Sequence, residues 1–166
     1  GATIGEYSVA IGKTVEASGE CSCAEGKNTT ASGWSSHAEG EGTKAKGQTS
    51  HAEGDNSIAE GISSHAEGSY AVASGITSHA EGEGTKAYGK SSHAEGSFTT
   101  ASSNYQHVQG KYNIEDKSNK YAHIVGNGKS GMERSNAHTL DWKGNAWFAG
   151  KLSQEGTPTE DKDLVT

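Results

Sequence analysis

The sequence predicts an all-β parallel solenoid, fourteen residues per coil, followed by a C-terminal region containing a β-hairpin. Three observations predict it. From Tyr7 to Lys111 the chain divides into fifteen consecutive heptads without an insertion, beginning YSVAIGK, TVEASGE, CSCAEGK, NTTASGW and SSHAEGE. Small residues fill alternate positions: the fourth is Ala in fourteen heptads, with Val108 the exception, and the sixth is Gly in fourteen, with Ser103 the exception. The second is usually Ser or Thr, and alternate heptads differ systematically, which doubles the period.

Each heptad reads as one short strand and one turn. Successive side chains of a strand point to opposite faces, so positions two, four and six share an inner face and positions three and five an outer one. A coiled coil would need an apolar pair in every seven residues, and Ser, Ala and Gly supply none. Glycine every seventh residue would cost about 1 kcal/mol each in a helix, whereas at a strand end it supplies a turn of positive φ. Position three of alternate heptads reads Val9, Cys23, His37, His51, His65, His79, His93, His107, and position five reads Ile11, Glu25, Glu39, Glu53, Glu67, Glu81, Glu95, Gln109. The intervening heptads carry Glu16, Thr30, Lys44, Ile58, Val72, Lys86 and Thr100 at position three, with no such order. One sheet therefore meets a uniform environment and the other a variable one. Ser36 to Gly54 and Ser78 to Gly96 agree at sixteen of nineteen positions, so whole coils have been copied.

The expected units are residues 1–111 as the repeat region, 112–152 as a C-terminal β region, and 153–166 as a polar tail or linker. In the second unit, apolar stretches on either side of Lys143-Gly144-Asn145 read as the hairpin. A formal net charge of −7, with 21 acidic against 14 basic residues, gives no cationic face for nucleic acid or an anionic bilayer. No apolar run approaches the roughly 20 residues of a membrane span. Gly1 in place of Met reads as the start of an excised or processed segment. Cys21 and Cys23 are too few and too close for a disulfide framework.

Alanine methyls bury little area, and a burial term of about 25 cal/mol per Å² does not offset the 1 to 2 kcal/mol per residue of backbone entropy. Thin scaffolds in this position usually oligomerise, so the chain is expected to pack against copies of itself through the uniform sheet. The expected interface is Val9, Ile11, Cys23, Glu25, His37, Glu39, His51, Glu53, His65, Glu67, His79, Glu81, His93, Glu95, His107 and Gln109.

Tyr7-Ser8-Val9-Ala10-Ile11-Gly12 and the later Ser-x-Ala-x-Gly heptads resemble the YadA-like head repeats of trimeric autotransporter adhesins. The resemblance covers about two thirds of the chain. It implies a left-handed parallel β-roll, a homotrimer about a threefold axis, and an interface in which Val9 and Ile11 keep the family's apolar character while the His and Glu pairs replace it with a polar one. Residues Tyr121 to Gly128 and Arg134 to Gly150, with the stretch from Thr157 to Thr166, resemble phage and prophage tail-fibre proteins. The two resemblances imply a non-enzymatic extracellular module on a virion tail or a bacterial surface. The preferred expectation is a phage-type fibre acting as spacer and host-binding element. The alternative is a bacterial adhesin head binding matrix protein or glycan.

A catalytic residue is not normally repeated in every coil, so the His and Glu columns read as an interchain ladder, and no enzyme, cofactor or metal is assigned. A metal reading exists, because three copies of one His around an axis offer three nitrogens and Cys23 stands in the same column. A glycosidase pair would need carboxylates in distinct environments, which identical rungs do not offer. A left-handed-helix acyltransferase would show a six-residue period, and an ice-binding solenoid aligned Thr ranks; neither is present. If the imidazoles pair with carboxylates, their folded pKa rises above about 6.5, and the added stability is lost as pH rises through it. Trp34, Tyr70, Tyr88, Phe98 and Tyr105 are the candidate receptor contacts, with packing between coils the plainer reading. Trp142, Trp147 and Phe148 are expected in the core of a C-terminal trimer, and Lys44, Lys46 and Lys86 as solvated outer charges.

Overall fold

In a computed structural model that describes residues 3–151, every element is a strand. They alternate long and short: β1 (Val9–Lys13) and β2 (Glu16–Ala17), β3 (Cys23–Lys27) and β4 (Thr30–Ala31), β5 (His37–Glu41) and β6 (Lys44–Ala45). The pattern continues with β7 (His51–Ala52) and β8 (Ile58–Ala59), β9 (His65–Ser69) and β10 (Val72–Ala73), β11 (His79–Glu83) and β12 (Lys86–Ala87). It closes with β13 (His93–Ser97) and β14 (Thr100–Ala101), then β15 (His107–Lys111), β16 (Tyr121–Asn127), β17 (Asn136–Asp141) and β18 (Ala146–Phe148). Among the described residues no helix is long and apolar enough to cross a membrane. The tail expected at 153–166 lies outside the described residues.

Odd-numbered strands to β15 form one parallel sheet, which β16, β17 and β18 extend, and the short even-numbered strands β2 to β14 form the other. Register is exact to the fourteen-residue period: His37 lies opposite His51, Ala38 opposite Ala52, Lys44 opposite Ile58. A chain that repeats every fourteen residues satisfies its backbone donors and acceptors by translation alone, and a one-residue slip would turn alanines outward. Between the sheets lies a column of Ala from Ala17 to Ala101, closed by Val108 and Ile124 and fully buried throughout. Position two lies beside it, and in the long-strand heptads it has a specific task. The hydroxyls of Ser22, Ser36, Ser50, Ser64, Ser78 and Ser92 donate to the glycine carbonyl three residues earlier, as Ser36 does to Gly33 at 2.7 Å.

The sixth-position glycines differ from the expectation of a single inner face. Positions two and four do point inward, but only the glycines of the short-strand heptads join them. Those of the long strands are exposed and adopt positive φ, as Gly40 does at 104°. Both kinds are required by close approach of the coils: a β-carbon at Gly40 would lie 2.1 Å from the Gly54 carbonyl oxygen, and one at Gly47 would lie 2.0 Å from that of Gly61. The turn itself uses another residue. Position one of every heptad is left-handed, whether occupied by Tyr7, Thr14, Cys21, Asn28, Ser35, Thr49, Tyr70 or Phe98, at φ 49 to 57° in these cases, or by Gly42 and Gly84.

The boundary expected after Lys111 marks the end of the fourteen-residue period and not of the sheet. β16 adds to β15 in parallel, placing His123 opposite His107 and Gly126 opposite Gly110. The offset is sixteen residues, and the extra length forms a cap over the short-strand sheet. Asn113 replaces the missing next strand, accepting from the Thr100 N–H at 2.8 Å and donating to the Thr100 carbonyl at 3.0 Å. Asp116 accepts from the N–H groups of Ser118, Lys120 and Tyr121 and from the Gln106 amide. Ser103, the break in the glycine column, donates its hydroxyl to the Asp116 carbonyl at 2.7 Å. β17 returns antiparallel along β16, and β18 pairs antiparallel with β17 across a turn in which Asp141 accepts from the N–H groups of Lys143 and Asn145.

Candidate functional site

In-register pairing stacks the outer faces of the long strands into two ladders. The imidazoles of His37, His51, His65, His79, His93 and His107 lie face to face, centroids 4.7 to 4.9 Å apart and planes within 11° of parallel. Beside them run Glu25 to Glu95. Each His leans on the Glu of the preceding rung: Nε2 to carboxylate distances are 3.1 Å for His37 and Glu25, 3.2 Å for His65 and Glu53, 3.2 Å for His79 and Glu67, and 3.3 Å for His107 and Glu95. A carboxylate only accepts, so Nε2 carries the proton in these four. The Nε2 atoms of His51 and His93 are sealed from solvent and without a hydrogen-bond partner. The nearest carboxylate oxygens are Glu39 at 3.4 Å, outside bonding geometry, and Glu81 at 3.9 Å.

At two rungs the electrostatics favour the neutral imidazole. Burial pushes His93 below the ordinary imidazole range, and the neighbouring His79 and His107 push the same way, against the pull of Glu81 and Glu95. His123 is lowered by burial and by His107 and His138. This reverses the direction expected of charged His and Glu pairs: these two groups contribute stability above the ordinary imidazole pKa, and it is lost as pH falls below that value. Partial burial would raise Glu53, but the hydrogen bond from His65 and attraction to His51 and His65 outweigh it, leaving it lowered. Burial raises the Cys23 thiol, and Glu25 and Glu39 raise it further.

The structure gathers the expected interface residues onto one face. Val9 is opposite Cys23 and Ile11 opposite Glu25, at the end of the same two columns. Val9 and Ile11 are exposed in the single chain, and the ladder side chains are about one third to two fifths exposed. The histidine column extends further than the heptads do: His123 lies 5.2 Å beyond His107, His138 5.5 Å beyond His123, and Phe148 4.5 Å beyond His138. A signal for this exists, since Tyr105-Gln-His-Val-Gln-Gly and Tyr121-Ala-His-Ile-Val-Gly repeat one pattern at a sixteen-residue offset.

The candidate receptor contacts are not brought together. Tyr70 and Phe98 stand in one corner column, Tyr105 and Trp34 at the opposite corner, and Tyr88 beyond the end of β12. Phe98 fills the space above Gly84 and stacks on Tyr112 at 5.1 Å, which is packing between coils. Trp142, Trp147 and Phe148 are exposed within the chain. Trp147 lines an open cleft of about 750 Å³ with Ile114, Tyr121 and Thr139. Lys44 and Lys86 are exposed, and Lys46 pairs with Glu60 at 2.9 Å.

Groups able to hold a metal ion follow the ladder. Cys23, Glu25 and His37 form the first, and each later set takes two successive histidines with the intervening glutamate, as far as His93.

Residues 24–43, 45–64 and 66–89 match the YadA head domain repeat, a model of two copies. These residues hold the central rungs of the ladder. No curated protein matches the chain. The parallel solenoid and the match agree on the nature of the coils, whereas the segment compared above with tail fibres lies outside the matched residues.

Proposed function

We propose that this chain is a rigid, extracellular adhesion module that works as a homotrimer, packed through the His and Glu face. One observation carries the reading: a solenoid whose interior is almost wholly Ala, Ser, Thr and Gly displays, on one sheet only, columns of identical half-exposed side chains. A solvated face has no reason to be uniform over six rungs, and the opposite sheet varies freely. Facing two copies, the half-exposed imidazoles and carboxylates would be dried, and Val9, Ile11 and Phe148 would gain partners. The family match supports a YadA-type head, and it gives no support to the phage-fibre reading preferred from sequence.

The role is structural and adhesive. Repeated rungs place the same carboxylate in the same surroundings, so no rung has the distinct acid and base an enzyme would use. Receptor binding falls to the corners, whose side chains vary from coil to coil, and the partner class is a surface glycan or matrix protein. Light scattering tests the assembly: a mass about three times the 17.1 kDa of one chain is expected, and a single-chain mass at micromolar concentration overturns the trimer. Immobilised glycans and matrix proteins test adhesion, with capture by the intact chain expected and no capture by any of them counting against it.

A further inference from the structure

We propose that the ladder of each chain binds borderline divalent cations of the zinc type, up to three per chain, on alternate rungs. Five sets of three donors have their ligating atoms within 4.8 Å of one another. Each set lies within one chain, unlike the threefold arrangement read from sequence, so the inference goes beyond the trimer and does not require it. Imidazole with carboxylate or thiolate is a donor set for Zn²⁺, Ni²⁺ or Cu²⁺ and a poor one for Mg²⁺ or Ca²⁺, which prefer oxygen alone.

The donors lie within side-chain rotation of what such an ion needs. Glu81 lies midway between two imidazoles, with Nε2 of His79 and of His93 each 3.9 Å from its carboxylate. An ion bound at about 2.0 to 2.2 Å from each donor holds the donor atoms about 3.3 Å apart, so the two parallel imidazoles, whose centroids are 4.7 Å apart, turn toward it and carry their protons on Nδ1 in place of Nε2. The sealed, unpartnered Nε2 atoms of His51 and His93 are the second observation. A buried imidazole nitrogen without a partner is an unmet demand for a hydrogen bond or a cation, and His51 lies within two of these sets and His93 within one.

Sharing sets the stoichiometry. His51 belongs to the set with Glu39 and to the set with Glu53, and one Nε2 lone pair serves one ion. The largest choice without sharing is Cys23, Glu25, His37; then His51, Glu53, His65; then His79, Glu81, His93. These ions stand two rungs apart, about 9.5 Å at the spacing of paired strands.

The test uses the full chain, stripped with chelator and titrated with zinc chloride, the ions counted by native mass spectrometry and calorimetry. Three ions per chain are expected. His65→Asn and Cys23→Ser should each lower the count to two, and His107→Asn, outside every set, should leave three. Cobalt in place of zinc should show a thiolate charge-transfer band that Cys23→Ser removes. No uptake by the parent chain, a count of three in both His65→Asn and Cys23→Ser, or an equal loss in His107→Asn overturns the proposal. If His65→Asn fails to fold, Cys23→Ser carries the count alone.

Discussion

The coils and the cap solve one problem by opposite means. In the coils each polar backbone group meets the same partner one rung on, and apart from the serine hydroxyls that donate to the glycine carbonyls, side chains are needed only to keep out of the way: Ala inside, Gly where the coils nearly touch. The cap has no next copy to meet. Asn113 imitates a strand with its amide, Asp116 collects N–H groups from Ser118, Lys120 and Tyr121, and Gln106 bridges to the Asp116 carboxylate and the Tyr121 carbonyl. A repeat thus tolerates chemical monotony, whereas its end needs residues that occur once. Steric changes should therefore damage the coils, and loss of a single polar group should damage the cap.

The largest effect should come from Gly47→Ala, whose new methyl would collide with the Gly61 carbonyl oxygen. A loss of about 3 kcal/mol or more is expected in urea unfolding at fixed chain concentration. Gly131→Ala in the C-terminal region, with nothing near its β-carbon, should stay within about 0.5 kcal/mol. If both are equally mild, the coils are less tightly nested than the contrast requires.

Asp116→Ala comes next, at about 2 to 3 kcal/mol, because the buried Gln106 amide and the partly buried N–H bonds from Ser118, Lys120 and Tyr121 lose one charged acceptor. Hydrogen exchange should quicken in β14 and β15 before β3 and β4. The same residue gives the cap a pH dependence. Burial alone would raise the Asp116 carboxyl, but the Ser118 hydroxyl and the N–H groups of Tyr121, Ser118 and Lys120 hold it below its ordinary 3.8. A lowered carboxyl contributes stability above its unfolded value and loses it as pH falls through the folded one. The stability gap between parent and Asp116→Asn should therefore be constant above about pH 5 and narrow below 3.8; a gap that widens in acid would contradict this origin.

Ser78→Ala removes one buried hydroxyl donating to Gly75 at 2.7 Å and should cost about 1 kcal/mol by the same unfolding assay. The smallest effect should be a gain: Thr14→Asn at a left-handed corner of φ 57° is expected to raise stability by about 0.5 kcal/mol, since Asn tolerates this region better than a β-branched residue.

Much of this was legible in the sequence for a physical reason. Repetition converts a long-range question, which strand pairs with which, into a local one, since a residue faces the residue fourteen places away. The Ala column and the shared face of His37 to His107 follow directly. What escaped reading is what does not repeat or does not select a residue type. The cap rests on a two-residue change of offset around Asn113 and Asp116, so it breaks the period that made the rest readable. The left-handed corner accepts Tyr7, Cys21 and Phe98 alike and leaves no compositional trace. The sixth-position glycines combine two requirements, positive φ at Gly40 and close approach at Gly47, which one letter cannot distinguish. The ladder was foreseen as a meeting of chains, while its contacts within a chain, each His on the preceding Glu, depend on rotamers the sequence does not encode.

That indifference of the first heptad position separates two jobs that most proteins entangle. Whatever side chain sits at a bend leaves the skeleton unaltered, so the exterior behaves like a strip of movable type, one character per bend. Selection, or an engineer, could reset the lettering to suit a new docking target without reopening the question of whether the rod will fold.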